Sequence, residues 1–135
     1  MAKLRHVSIK VDDLDAAAKL YCEVFEMKEV GRAGPQDTTG AVYLSDGVVN
    51  LALIKLLPQY SNWKPEGLNH IGFVVEDMDA AVARAEAHGA VAMTDNLDQA
   101  TAEAAGATWE VKMRMPDGVA FDFSVHGWPG NSQLD

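Results

Sequence analysis

Leu4-Arg5-His6-Val7-Ser8-Ile9-Lys10-Val11-Asp12-Asp13-Leu14-Asp15-Ala16-Ala17 returns later in the chain as Leu68-Asn69-His70-Ile71-Gly72-Phe73-Val74-Val75-Glu76-Asp77-Met78-Asp79-Ala80-Ala81. The offset is constant at 70 − 6 = 64, without gaps, and seven of the fourteen positions are identical. A run of this kind marks an internal duplication, which sets the architecture before any single residue is interpreted. Each copy opens with period-two alternation, the signature of a strand with one apolar face. Val7, Ile9 and Val11 share one face, and His6, Ser8 and Lys10 the other; Ile71, Phe73 and Val75 oppose His70, Gly72 and Val74. An acidic turn follows in each copy. Asp13 and Asp77 are placed to cap helices running from 16 to about 25 and from 80 to about 88, with Asp15 and Asp79 near the positive helix ends.

Outward from the repeat, three short strands complete each copy. They are expected near 28–31, 40–45 and 48–56, then near 91–94, 109–115 and 119–125. Asp46-Gly47 and Asp117-Gly118 form matching hairpin turns. Two polar loops remain, 33–40 and 95–106; the alanines of the second suit a short helix or a lid. The expected fold class is α+β, with tandem βαβββ modules forming a curved mixed sheet around a central cavity. All 135 residues form one domain: module one at about 1–57, a linker at about 58–66, module two at about 67–127, and a surface tail at 128–135.

Composition limits the functions open to such a chain. It is 48% hydrophobic and 23% charged, as ordinary globular proteins are. A formal net charge of −9 argues against nucleic acid and against anionic lipid, both of which select clustered Lys and Arg. No apolar run reaches membrane-spanning length, and the start of the chain lacks the apolar core of a signal peptide. A single cysteine, Cys22, permits no internal disulfide and reads as a small buried residue. A cytoplasmic protein with a small-molecule partner is the expectation.

Asp122 stands out because it alternates with Phe121 and Phe123 in the last strand, and therefore faces the side on which His6 and His70 lie. An unpaired carboxylate there would be costly as core filler. Two imidazoles and one carboxylate suit non-haem iron with open positions, and equally catalytic zinc. His126 follows the same strand, either as a general acid or base at the pocket mouth or as a surface histidine. Tyr43, Lys55, Lys112 and Arg114 sit on strands that line or edge the cavity. Trp109 and Trp128 read as packing, and His88 as a cation at a helix C-terminus.

The two modules, the openings "LRHVSIKV" and "LNHIGFVV" and the ending "PDGVAFDF" together resemble the vicinal-oxygen-chelate superfamily over nearly the whole chain. That group contains glyoxalase I, methylmalonyl-CoA epimerase, extradiol dioxygenases and antibiotic-resistance proteins. The resemblance implies a divalent metal, Fe(II), Zn(II), Ni(II) or Mn(II), held by His6, His70 and Asp122, the last standing where most relatives have Glu. It implies a homodimer as well. The fourth ligand position falls on Ala52 when "NLALI" is matched to the family pattern. It falls on Leu51 when the two Asp-Gly turns are superposed (117 − 46 = 71). Neither binds metal; Asn50, on the same strand face as Ala52, is the nearby oxygen donor. The expected activity is a lyase, isomerase or dioxygenase with an open site, with His126 and Tyr43 as catalytic candidates. A metal-free antibiotic-type binder is the alternative.

Overall fold

A computed structural model describes residues 1–57 and 67–130; the expected linker and the end of the expected tail lie outside the described residues. The first module runs β1 (Lys3–Lys10), α1 (Leu14–Phe25), β2 (Lys28–Ala33), β3 (Ala41–Ser45) and β4 (Asn50–Ile54). The second runs β5 (Gly67–Val74), α2 (Met78–Ala87), β6 (Val91–Ala92), α3 (Gln99–Ala104), β7 (Glu110–Arg114) and β8 (Ala120–Ser124). Both long helices start two residues before the expected 16 and 80. The cause is the cap: Asp13 accepts from the Ala16 amide and Asp77 from the Ala80 amide, each at 3.0 Å, so the very next residue is already helical. The alanine-rich loop contains α3, capped by Asp98 on the Thr101 amide at 2.8 Å.

Eight strands form one mixed sheet in the order β2-β3-β4-β1-β5-β8-β7-β6. The first and last strands of each module pair in parallel, β1 with β4 and β5 with β8, and the modules join where β1 meets β5 antiparallel. The apolar faces lie under the helices. Leu14 and Ala18 of α1 pack with Val42, Leu44, Leu51 and Leu53, while Met113 and Phe121 pack with Ala90, Val82 and Ala85. The opposite face of the sheet is concave and polar, and its floor is well enclosed: His6, Ser8, Asn50 and Asp122 are all buried.

Strand register decides between the two alignments of the last strands. Ser8, two residues after His6, pairs with Ala52; Gly72, two residues after His70, pairs with Asp122. Ala52 is therefore the counterpart of Asp122. The Asp-Gly anchor is one residue out of step because the first turn holds one more residue before this pair (52 − 46 = 6 against 122 − 117 = 5).

The seam between modules carries two register shifts, at Arg5 on β1 and at Asn69 on β5, each the residue before a duplicated histidine (69 − 5 = 64). A bulge inserts one extra residue and re-aims its side chain. Asn69, which strict alternation would set on the helix-facing side, instead lines the concave cavity.

The chain after β8 corrects the expected surface tail. Ser124 Oγ accepts from the Gly127 amide at 3.1 Å, and Gly127 adopts a φ of 75° that side chains disfavour. This turn brings the strand end back over the sheet, so Gly127 and Trp128 are buried. Trp128 lies directly above Gly72, where a Cβ would fall 2.8 Å from the indole and 2.8 Å from His6 Cβ. Gly72→Ala is expected to destabilise the fold by about 1–3 kcal/mol through this overlap. Urea unfolding followed by tryptophan fluorescence checks it; an unchanged midpoint would mean that the indole does not rest there.

Candidate metal centre

Three strands from the two modules meet at one cluster. His6 comes from β1, His70 from β5 and Asp122 from β8, and their donor atoms converge. His6 Nε2 lies 3.1 Å from His70 Nε2, His70 Nε2 lies 3.1 Å from Asp122 Oδ2, and His6 Nε2 lies 3.9 Å from the same oxygen. Ligands at about 2.0–2.1 Å from a tetrahedral ion are separated by about 3.3 Å, so this triangle has the right size.

The other ring nitrogens say which protons are present. His6 Nδ1 is 2.8 Å from Asn50 Oδ1, and the Asn50 amide nitrogen donates to the Pro129 carbonyl at 2.9 Å, which fixes the way Asn50 faces. His6 is therefore protonated on Nδ1 and bare on Nε2. His70 Nδ1 is 2.7 Å from Asn69 Oδ1, and its Nε2 faces Asp122. With His70 protonated on Nδ1 as His6 is, two imidazole lone pairs and a carboxylate oxygen would converge with no proton between them. Such an arrangement is repulsive alone and is what a divalent cation accepts; a hydrogen-bonded amide behind each histidine is also the usual way a ligating ring is oriented. The donor set thus fits a metal ion.

Burial and charge hold these groups in ligand form. Burial, reinforced by His70 and opposed by Asp122 and Asn50, lowers the His6 pKa from its ordinary 6.5 to about 4, so the ring is neutral at physiological pH. Burial alone would raise the Asp122 carboxyl; the bonds to His70 and Lys112 outweigh it and hold it at about 2. Lys112, directly opposite on β7, places Nζ 2.9 and 3.1 Å from the two oxygens of Asp122, and 3.4 Å from Glu110 Oε1. Glu110 also accepts from Trp128 Nε1 at 2.8 Å. Burial raises the Glu110 carboxyl, with Lys112 opposing and Asp122 adding to the rise. Trp128 completes the enclosure by stacking on His6, centroids 4.5 Å apart and planes 9° from parallel.

These groups line one cavity of about 890 Å³ that runs from the cluster across the concave face of both modules. Tyr43 lines it half-buried, its phenol pushed up by burial and by Glu110. Lys55 lines it too. His126 does not: the turn that folds Trp128 inward leaves it exposed outside the cavity. Arg114 donates instead to the Gly118 carbonyl in the β7–β8 hairpin at 3.0 Å. Asn50 lies at the cluster, but its oxygen is engaged by His6.

Glu110, Asn69 and the inward position of Trp128 escape a reading of the sequence. Glu110 had a usable signal, since Glu110, Lys112 and Arg114 alternate with the core residues Val111 and Met113. Asn69 had none, because a bulge leaves no periodic trace. Among the described residues, Ser8 Oγ and Asn69 Nδ2 are buried polar atoms without a hydrogen-bond partner.

Residues 5–109 match the family model described as the Glyoxalase/Bleomycin resistance protein/Dioxygenase superfamily. Among curated proteins, the uncharacterised protein YaeR of Escherichia coli K12 is 29% identical over 107 residues, spanning 75% of this chain and 82% of the relative. Among solved structures, the hypothetical protein BH1468 of Bacillus halodurans superposes with a TM-score of 0.72 at 16% identity, covering 99% of this chain and 96% of the other. Methylmalonyl-CoA epimerase of Mycobacterium tuberculosis superposes with a TM-score of 0.68 at 22% identity, covering 90% and 85%. At these identities the structural matches establish a shared fold. No helix among the described residues is long and apolar enough to cross a membrane.

Proposed function

The chain belongs to the glyoxalase/bleomycin resistance protein/dioxygenase superfamily, and from that premise we propose a metal-dependent enzyme acting on a small substrate with two neighbouring oxygens. The observation that carries this reading is the convergence of two imidazole nitrogens and one carboxylate oxygen within 3.9 Å. His6, His70 and Asp122 would hold the metal, and Asn50 would act behind His6 as a positioning residue rather than as a fourth ligand. A bound divalent ion of this kind supplies a Lewis acid for two substrate oxygens and leaves coordination positions open to them.

The chain's own groups favour proton transfer next to a carbonyl, that is, lyase or isomerase chemistry. Glu110 is a half-buried carboxylate in the same cavity, with a raised pKa suited to taking a proton from carbon. Lys112 and Trp128 fix it. Tyr43, whose phenol stays protonated, would donate a hydrogen bond to a substrate oxygen.

A second reading has its own support: two histidines and one carboxylate are also the ligands of oxygen-activating iron sites. The experiments separate the readings. Elemental analysis of protein purified without chelators should find Fe, Zn, Ni or Mn in stoichiometric amount. No metal, and no gain in stability on adding these ions, would leave a metal-free binding protein. If metal is present, oxygen uptake with a catechol panel identifies a dioxygenase; oxygen-independent deuterium exchange at carbon next to a carbonyl identifies the lyase or isomerase. A homodimer belongs to the same proposal, and light scattering checks it.

Asn50→Ala is expected to weaken metal affinity by about tenfold with the fold intact, since it removes the partner of His6 Nδ1. Calorimetric titration measures it; wild-type affinity would show that His6 needs no such support.

A further inference from the structure

The ammonium of Lys112 occupies both oxygens of the one carboxylate in the donor set, at 2.9 and 3.1 Å, while a second carboxylate, Glu110, stands 3.4 Å from the same nitrogen. A cation already seated on Asp122 must share or yield that oxygen before another cation can use it. We propose that Lys112 is a built-in competitor for the metal position, and that Glu110 is the partner to which it transfers its contact when a divalent ion binds Asp122. The inference rests on the metal-site reading above, but the two can fail separately.

Three features support the exchange. Asp122 Oδ2, the closer of its oxygens to Lys112, is also the oxygen that faces both histidines, so Lys112 and an incoming ion contend for one atom. Glu110 is held in place by Trp128 Nε1 at 2.8 Å, so an acceptor is ready without rearrangement of the backbone. Glu110, Lys112 and Asp122 share one face of two paired strands, with Lys112 directly opposite Asp122 in register, so a rotation of the flexible lysine side chain suffices. The outcome would be a tunable affinity. In the metal-free protein one ammonium lies between two carboxylates, and a displaced ammonium keeps Glu110 as its partner.

A double-mutant cycle on metal affinity tests this. Zn(II) and Co(II) are titrated by calorimetry into metal-stripped wild type, Lys112→Met, Glu110→Gln and the double variant, with thermal melts to confirm folding. Lys112→Gln, which keeps a hydrogen-bond donor for Asp122, serves if the Met variant does not fold. Lys112→Met should bind about tenfold more tightly than wild type. Glu110→Gln should bind more weakly by a similar factor, because Lys112 then has only Asp122. In the double variant the Glu110 effect should vanish. Additive effects would mean that both residues act only through their charge, and would overturn the exchange. Wild type that binds metal, with affinity unchanged in Lys112→Met and Lys112→Gln, would overturn the competition while leaving the metal-site reading standing. Wild type that binds no metal, with Lys112→Met binding it, would uphold the competition and overturn the metal-dependent enzyme. No binding in any variant would overturn both.

Discussion

Asp122→Ala should reduce divalent-metal affinity by at least about 100-fold, with loss of any metal-dependent turnover, because it removes the one carboxylate of the proposed donor set. Two effects add. The variant takes away the anion that neutralises part of the ion's charge. It also leaves the Lys112 ammonium, paired with Glu110, beside the two remaining histidines, where its charge opposes an incoming cation. His70→Ala should lose affinity too, but less, since it deletes a neutral donor and leaves the Lys112–Asp122 pair intact. The measurement is metal content after dialysis against a weak chelator, beside an unfolding curve to show that the variant is folded. Asp122→Ala that retains a full complement of metal would remove Asp122 from the centre and return it to a structural partner of Lys112.

Metal-stripped protein should lose stability as the pH falls through the window between the ordinary histidine value, 6.5, and about 4, where His6 titrates in the fold. His6 is lowered on folding, so between these values the unfolded chain binds the proton that the folded chain refuses, and acid favours unfolding. The full shift is worth on the order of 3 kcal/mol, of which about 2 kcal/mol should disappear between about pH 7 and about pH 5. Asp122 acts in the same sense at lower pH: its stabilisation is present above its ordinary 3.8 and is lost as the pH falls towards about 2. Glu110, raised by folding, acts in the opposite sense and penalises the fold as the pH rises above its ordinary 4.5. Urea unfolding of metal-stripped wild type and His6→Gln at the two pH values isolates the histidine. The slope should be present in wild type and absent in the variant; parallel curves would mean that His6 is protonated in the fold.

Much of this was legible in the residues, and the rest was hidden for identifiable reasons. The duplication announces itself in sequence because a strand of alternating residues, an acidic cap and a helix must recur together. It paired His6 with His70, alternation with Phe121 and Phe123 added Asp122, and the donor atoms of the three do meet. Which residue of the first module corresponds to Asp122 was not legible, because a turn one residue longer shifts the apparent alignment and only hydrogen-bonded register resolves it. Asn69 was invisible because a bulge breaks the period that sequence reading depends on. Trp128 read as packing in a surface tail because its burial depends on the Ser124–Gly127 turn and on the space left by Gly72, two facts about distant backbone. Asn50 read as an oxygen donor, which it is, but its oxygen faces an imidazole N–H.

The seam between β1 and β5 has a consequence for how the chain acquires its centre. One histidine and its amide support come from the first module; the other histidine and the carboxylate come from the second. Neither half can assemble the ligand triangle by itself, so the centre is completed only when residues more than sixty positions apart have docked across the seam. Contacts so distant in sequence form late in folding, after the cost of closing the intervening loop has been met. An ion bound there would therefore act as a staple between the two halves. It would slow their separation rather than protect one strand locally, adding about 2.7 kcal/mol at a free concentration of about 100 times Kd. Amide exchange should slow together in β1, β4, β5 and β8 when the ion is supplied, as a single cooperative unit.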